Sequence, residues 1–248
     1  MGVRDECRSL VRQGTSPSEI ARRRKISLKS VFSNLDELIG RGDLRRSDVA
    51  FTVPPATRKA IADLLGKGHS PLGWRLERTL RLQKSPVEVA DIETVLRYGT
   101  VSGVLGEMYE DIRSIEVGLH RTVRLALEEE YGRGELGWWR KGVPDAIRAS
   151  CQTKREQDED PVSEAYNYTD LMELREITVK NWEVVRRKLP QSVGADRKQL
   201  GSDLARLNGI RRNVMHPVRD ANPAEDDFQF VHTLRDRLGH VPVPEGQV

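Results

Sequence analysis

LARLNGIRRNVMHP, residues 204–217, is the stretch on which the fold reading turns. Leu204, Leu207, Ile210 and Val214 recur every three to four residues, the apolar stripe of an amphipathic helix. Pro217 disfavours helical geometry at the residue before it, so the helix is expected to end near Met215. Arg212 and His216 lie four apart and can share a face. Arg211 lies five residues before His216, and the turn at the proline can bring the two together. A permanently charged guanidinium beside an imidazole that titrates near neutrality suits phosphate chemistry. A plainer reading stands beside it: cations at a helix C-terminus complement the macrodipole and need no further role.

Outward from this stretch, the periodicity is helical throughout residues 104–248. Met108, Ile112, Ile115, Leu119, Val123 and Leu127 form one stripe of a long helix over 104–131, closed by Gly132-Arg133-Gly134. Pro144 opens a helix through Ile147 and Cys151, and residues 154–161 read as a charged loop or frayed helix end. A helix over 168–189 and another over 224–238 complete about five helices with short connections, the pattern of an up-and-down bundle. The tryptophans read as core or boundary packing. No glycine-rich phosphate loop, clustered metal ligands or serine-histidine-acid pattern is present, so no cofactor and no metal is expected.

The order of WWRKGVP (138–144), Asn181-Trp182 and IRRNVMHP (210–217) resembles the Swt1-like branch of the HEPN superfamily. HEPN domains are helical bundles marked by an arginine, four to six residues, then a histidine, often with a polar residue directly after the arginine. Arg211 and His216 have four residues between them. Arg212 stands where the family usually has asparagine, and Asn213 follows one place later, so either arginine can take the family role. The resemblance covers about residues 104–240. It implies a metal-independent endoribonuclease in which Arg211, helped by Arg212, stabilises phosphoryl charge, His216 moves or positions the proton, and Asn213 orients the phosphate or the imidazole. It also implies RNA as substrate, a homodimer with the motifs meeting across the interface, and a toxin or anti-phage role. Some family members bind RNA without cutting it. Glu116 can pair with an arginine of the motif; His120 and His232 read as ordinary bundle histidines.

The N-terminal segment, residues 1–53, reads differently. Residues 1–60 hold 13 Lys or Arg against 7 Asp or Glu, while the other 188 hold 28 against 31. A basic segment on a near-neutral body points to a polyanion partner. A helix from Val3 to Gln13 ends at Gly14. Ser16-Pro17-Ser18-Glu19 is then a strong helix start, with Ser16 as cap and Pro17 in the first turn. Lys25-Ile26-Ser27 reads as a turn, and a third helix over 28–41 buries Leu28, Val31, Leu35 and Leu38. Two short helices joined by such a turn resemble a helix-turn-helix. Lys29, Ser30, Ser33 and Asn34 would face a nucleic-acid groove, with Arg45 and Arg46 on phosphates at the base of a β-hairpin wing over 44–53. The plainer alternative is a small three-helix packing domain that binds nothing; such tri-helical units are also common as protein-interaction modules.

Residues 54–103 carry three further helical patterns and read as a helical linker or an extension of the bundle. The fold class is therefore all-α: a small helix-turn-helix-like, winged domain, a helical linker and a HEPN-like bundle. No apolar run reaches the roughly 18 residues a membrane span needs. Cys7 and Cys151 lack metal-ligand spacing, and no signal peptide is legible, so a reducing, cytoplasmic setting is expected. Two functions compete: a ribonuclease, and a non-enzymatic regulator that uses the helix-turn-helix on DNA and the bundle for dimerisation or RNA sensing. A purely structural interaction protein is a third.

Overall fold

Serine and proline caps set out the first helices as the sequence leads one to expect. In the computed structural model, which describes residues 2–82, 87–99, 101–161, 163–215 and 223–239, α1 spans Val3–Arg12, α2 Pro17–Arg24 and α3 Leu28–Gly40. The Ser16 hydroxyl accepts from the Glu19 N–H, and the Ser27 hydroxyl from the Ser30 N–H at 3.1 Å. Lys25 between them adopts the left-handed conformation, φ 53°. Val31, Phe32, Leu35 and Leu38 on α3 bury against Cys7, Val11 and Ile20.

The wing is not there. Residues 46–50 form a short helix, α4 (Arg46–Ala50), and among the described residues there is no strand. Leu44, Val49 and Val53 are buried at spacings of five and four, whereas a two-residue alternation from Leu44 would carry Arg46 and Asp48 inward. Carboxylates at the helix start decide the matter. Asp48 accepts from the Arg45 N–H at 2.9 Å, and Glu107 accepts from the Arg46 N–H at 2.6 Å and the Ser47 N–H at 3.1 Å.

Helices α5 (Pro55–Gly66), α6 (Gly73–Leu82) and α7 (Val89–Tyr98) bury Ile61, Leu64, Leu76, Leu80, Ile92 and Val95 together. The chain divides into two compact units, Met1–Glu107 and Met108–Val248. The segment read as a linker or bundle extension thus packs within the first unit. Tyr98 joins it to the N-terminal helices: its ring is buried in their core and its hydroxyl donates to Asp36 at 2.9 Å.

The second unit is a helical bundle, as its periodicity indicates. It takes α8 (Val101–Tyr131) from Met108 on, then a π-helical turn (Glu135–Trp139), α9 (Arg140–Gly142), α10 (Asp145–Glu156), a 3-10 turn (Ala165–Tyr168) and α11 (Leu171–Lys180). It continues with α12 (Trp182–Val185), α13 (Gln191–Gly194), α14 (Arg197–Met215) and α15 (Glu225–Leu238). All six stripe residues of α8 are buried in one core with Leu174, Ile177, Leu204, Leu207 and Val231. The single helix expected over 168–189 is instead broken at Asn181. Its amide donates to the Gly142 and Ile177 carbonyls at 2.8 and 2.9 Å, and its oxygen accepts from the Tyr131 hydroxyl at 3.3 Å. A short amide side chain that satisfies backbone groups competes with helix continuation. Gly142 is equally constrained: a Cβ there would meet the Leu127 side chain at 2.9 Å.

Asn181→Ala leaves the Gly142 carbonyl and the Tyr131 hydroxyl without this partner, so we expect a loss of about 1–3 kcal/mol in urea unfolding. A variant as stable as the parent would mean that the break in the helix does not rest on this side chain.

Candidate functional site

Burial of Leu200, Leu204, Leu207 and Ile210 turns one face of α14 into the core, each leucine contributing about 1.5–3 kcal/mol relative to exposure. Charge then fixes α15 beside it. Arg237 meets Asp203 at 2.9 Å, Arg206 meets Asp227 at 3.2 Å, and the Arg206 guanidinium lies 4.1 Å from the Phe230 ring centre. Arg211 follows the buried Ile210 and sits at the border of the core, whereas Arg212 is exposed.

The two arginines differ in their partners. Arg211 Nε lies 2.7 Å from Glu116 Oε1 of α8, with the side chains 31% and 25% exposed. Both atoms are shielded from solvent, and the N–H is not aimed along the line to the oxygen, so the contact is an ion pair more than a directed hydrogen bond. Burial pushes the Glu116 carboxyl above its ordinary value, Arg211 opposes that shift, and Asp170 adds to it. Among the described residues Arg212 makes no polar contact, nor do the terminal guanidinium nitrogens of Arg211 donate a hydrogen bond. Asn213 is half-buried one position on. His216 and Pro217, and with them the helix end expected near Met215, lie at or beyond the edge of the described residues; α14 is described as far as Met215.

His120 is held by packing. Its Nε2 lies 3.1 Å from the Tyr166 carbonyl oxygen, the Tyr166 hydroxyl donates to the His120 carbonyl at 3.0 Å, and the two rings stack with centres 4.0 Å apart. Burial lowers its imidazole's affinity for a proton. His232 lies 3.5 Å from Asp236 on its own helix. Sequence reasoning missed Tyr166, which is buried against both Trp138 and Trp139 at ring separations of 5.0 and 6.1 Å. Its position in a short polar connection, Tyr166-Asn167-Tyr168, was the available signal.

In the first unit, the residues expected at a groove are distributed unevenly. Lys29 and Ser33 are exposed and line a cleft of about 800 Å³ together with Asp36, Leu72, Glu93 and Arg97. The Ser30 hydroxyl is taken up by that of Ser27 at 2.8 Å, and the Asn34 amide donates to the Ser30 carbonyl at 2.8 Å. Arg45 and Arg46 lie at the start of α4, not on a wing, and the Arg46 guanidinium donates to the Arg97 carbonyl at 3.3 Å. Arg97 also pairs with Asp36, which lowers that carboxyl's pKa.

Among the described residues no group of three or more His, Cys, Asp or Glu side chains could hold a metal ion, and no helix is long and apolar enough to cross a membrane. Cys7 and Cys151 are free and buried, and burial pushes the Cys151 thiol up to about 11. No family model, curated protein or solved structure matches the chain.

The Glu116 environment has a pH signature. A folded pKa above the ordinary 4.5 makes the folded state the better proton binder, so the Glu116 contribution to stability is fully present below that value. It falls as pH rises through the folded value. Glu116→Gln removes this dependence, and the stability of the variant minus that of the parent should increase from pH 4 to pH 7. A difference that is flat, or that declines, over urea titrations in this range contradicts the assignment.

Proposed function

We propose that the second unit is a HEPN-type, metal-independent endoribonuclease, acting as a toxin or anti-phage effector on RNA. The observation that supports this most is the Arg211–Glu116 pair: a guanidinium anchored through Nε near the C-terminal end of α14, with its terminal nitrogens available to an anion. Asn213 and His216 follow in sequence, within the Arg-x4-His spacing.

In this reading a phosphodiester of single-stranded RNA lies on Arg211. The neighbouring 2′-hydroxyl attacks phosphorus, its proton passing to a base, while the bond to the 5′-oxygen breaks and that oxygen gains a proton. The products are a 2′,3′-cyclic phosphate and a 5′-hydroxyl. Arg211 stabilises charge developing on the non-bridging oxygens. His216, with a reference pKa of about 6.5, serves one of the proton transfers. Glu116 is a positioning residue, acting through Arg211. Arg212 contributes positive potential from the exposed face, and Asn213 orients the phosphate or the imidazole. A homodimer brings two such motifs to one cleft.

A second reading is a regulator that binds DNA through α2 and α3. The capped turn at Lys25–Ser27 and the exposed Lys29 and Ser33 favour it. Duplex binding lost on Ser33→Ala, by a protein that cuts no RNA, would select it.

Incubation of the purified protein with total RNA in EDTA tests the enzyme. Cleavage yielding cyclic-phosphate ends is expected, reduced about 100-fold or more in Arg211→Ala and in His216→Ala. Cleavage that survives both substitutions, or requires added metal, contradicts the mechanism.

A further inference from the structure

A second feature of the bundle lies along α8 from the Arg211–Glu116 pair. Glu116, His120 and Arg124 succeed one another at four-residue intervals, and all three are partly exposed. Arg124 lies over the Trp138 ring at 5.2 Å and lines a cavity of about 270 Å³ with Trp138, Trp139, Gln152, Arg155 and Tyr166. Trp138 and Tyr166 are buried and form its floor; Trp139 is only half-buried, so part of its ring is reachable. From Glu116 to Arg124 is eight residues of helix, about 12 Å, a span covered by a few nucleotides of single strand.

The lining points to one kind of ligand. Arg124 is already neutralised by Glu128 and Glu164, each at 2.8 Å, and Glu135 also lines the cavity. Carboxylates so placed repel a phosphate. Guanidinium, carboxylate and amide groups set around the aromatic rings are equally unsuited to a purely apolar guest. A flat, uncharged group with a hydrogen-bonding edge satisfies both sets of walls, its faces against the rings and its edge toward the polar groups.

We propose that this cavity is a nucleobase subsite, holding a base of the same RNA strand whose phosphate lies on Arg211. The proposal rests on the RNA reading above and adds to it the residues that grip a base: Trp139 by stacking, Gln152 and Arg155 by contact with its edge. Arg211 supplies affinity for the backbone; the cavity supplies the requirement that the strand be unpaired, because a base held in a duplex cannot enter.

Equilibrium binding of two labelled probes to the intact protein tests this without requiring catalysis. One probe is an eight-nucleotide 2′-O-methyl oligoadenylate, which has no free 2′-hydroxyl to attack; the other is an abasic sugar-phosphate oligomer of equal length and charge. The intact protein is expected to bind the oligoadenylate about tenfold more tightly or better. Trp139→Ala should abolish that margin and leave the abasic probe unaffected. Because Trp139 packs partly on the core, Trp139→Phe and Arg155→Ala accompany it, each expected to narrow the margin while thermal unfolding stays near that of the parent. Equal binding of the two probes by the parent, or a margin unchanged in folded variants, overturns the proposal. A margin that depends on Trp139 in a protein that never cuts RNA keeps the subsite and removes the nuclease reading. Cleavage with a margin indifferent to Trp139 does the reverse.

Discussion

The ion pair between Arg211 and Glu116 is the contact on which the chemistry of the second unit depends. An arginine so near the end of a helix would ordinarily sweep through many rotamers, and holding it costs side-chain entropy. Here the guanidinium leaves the border of the core with its Nε 2.7 Å from a carboxylate oxygen of a different helix, those two atoms shielded from solvent within side chains that are themselves partly exposed. Partial burial makes that attraction stronger than at an open surface, where ion pairs contribute little. The carboxylate's raised pKa is the cost of its burial, and Arg211 offsets it in part. Neighbouring contacts serve the same end, since Arg206, Arg237 and their aspartates hold α15 on α14 and so steady the helix that carries the motif.

Much of the helical framework was legible in the sequence, and for clear physical reasons. The stripe on α8 is six residues deep at helical spacing, and all six are buried. Ser16 and Ser27 announce helix starts through local hydrogen bonds that need no distant partner, and Pro17 through its fixed φ and missing N–H. What was not legible depended on long-range partners. The stretch after Leu44 resembles a wing locally because nothing nearby in sequence shows that Glu107, sixty residues on, satisfies the N–H groups of a helix there. The break at Asn181 rests likewise on the Gly142 carbonyl, thirty-nine residues away. Tyr98 joins the middle helices to the first three by a contact that no periodicity records.

The site was half legible. The sequence allows Glu116 to meet an arginine of the motif without requiring it, and which arginine it meets is not legible there, because Arg211 and Arg212 differ by one helical step and the core border selects between them. The aromatic group around Tyr166 is illegible in the sequence for a related reason. Two adjacent tryptophans look like packing in any sequence, and only the fold shows that a tyrosine nearly thirty residues later closes a polar-lined cavity beside them.

The most direct test of the account is a double-mutant cycle on affinity for an uncleavable 2′-O-methyl RNA, using Glu116→Ala, Arg211→Ala and the pair together. If Glu116 acts through Arg211, its substitution changes affinity only while Arg211 is present, and the double variant binds as Arg211→Ala does. If removing Glu116 changes affinity by the same factor with and without Arg211, the two residues act independently and the pair does not organise the site.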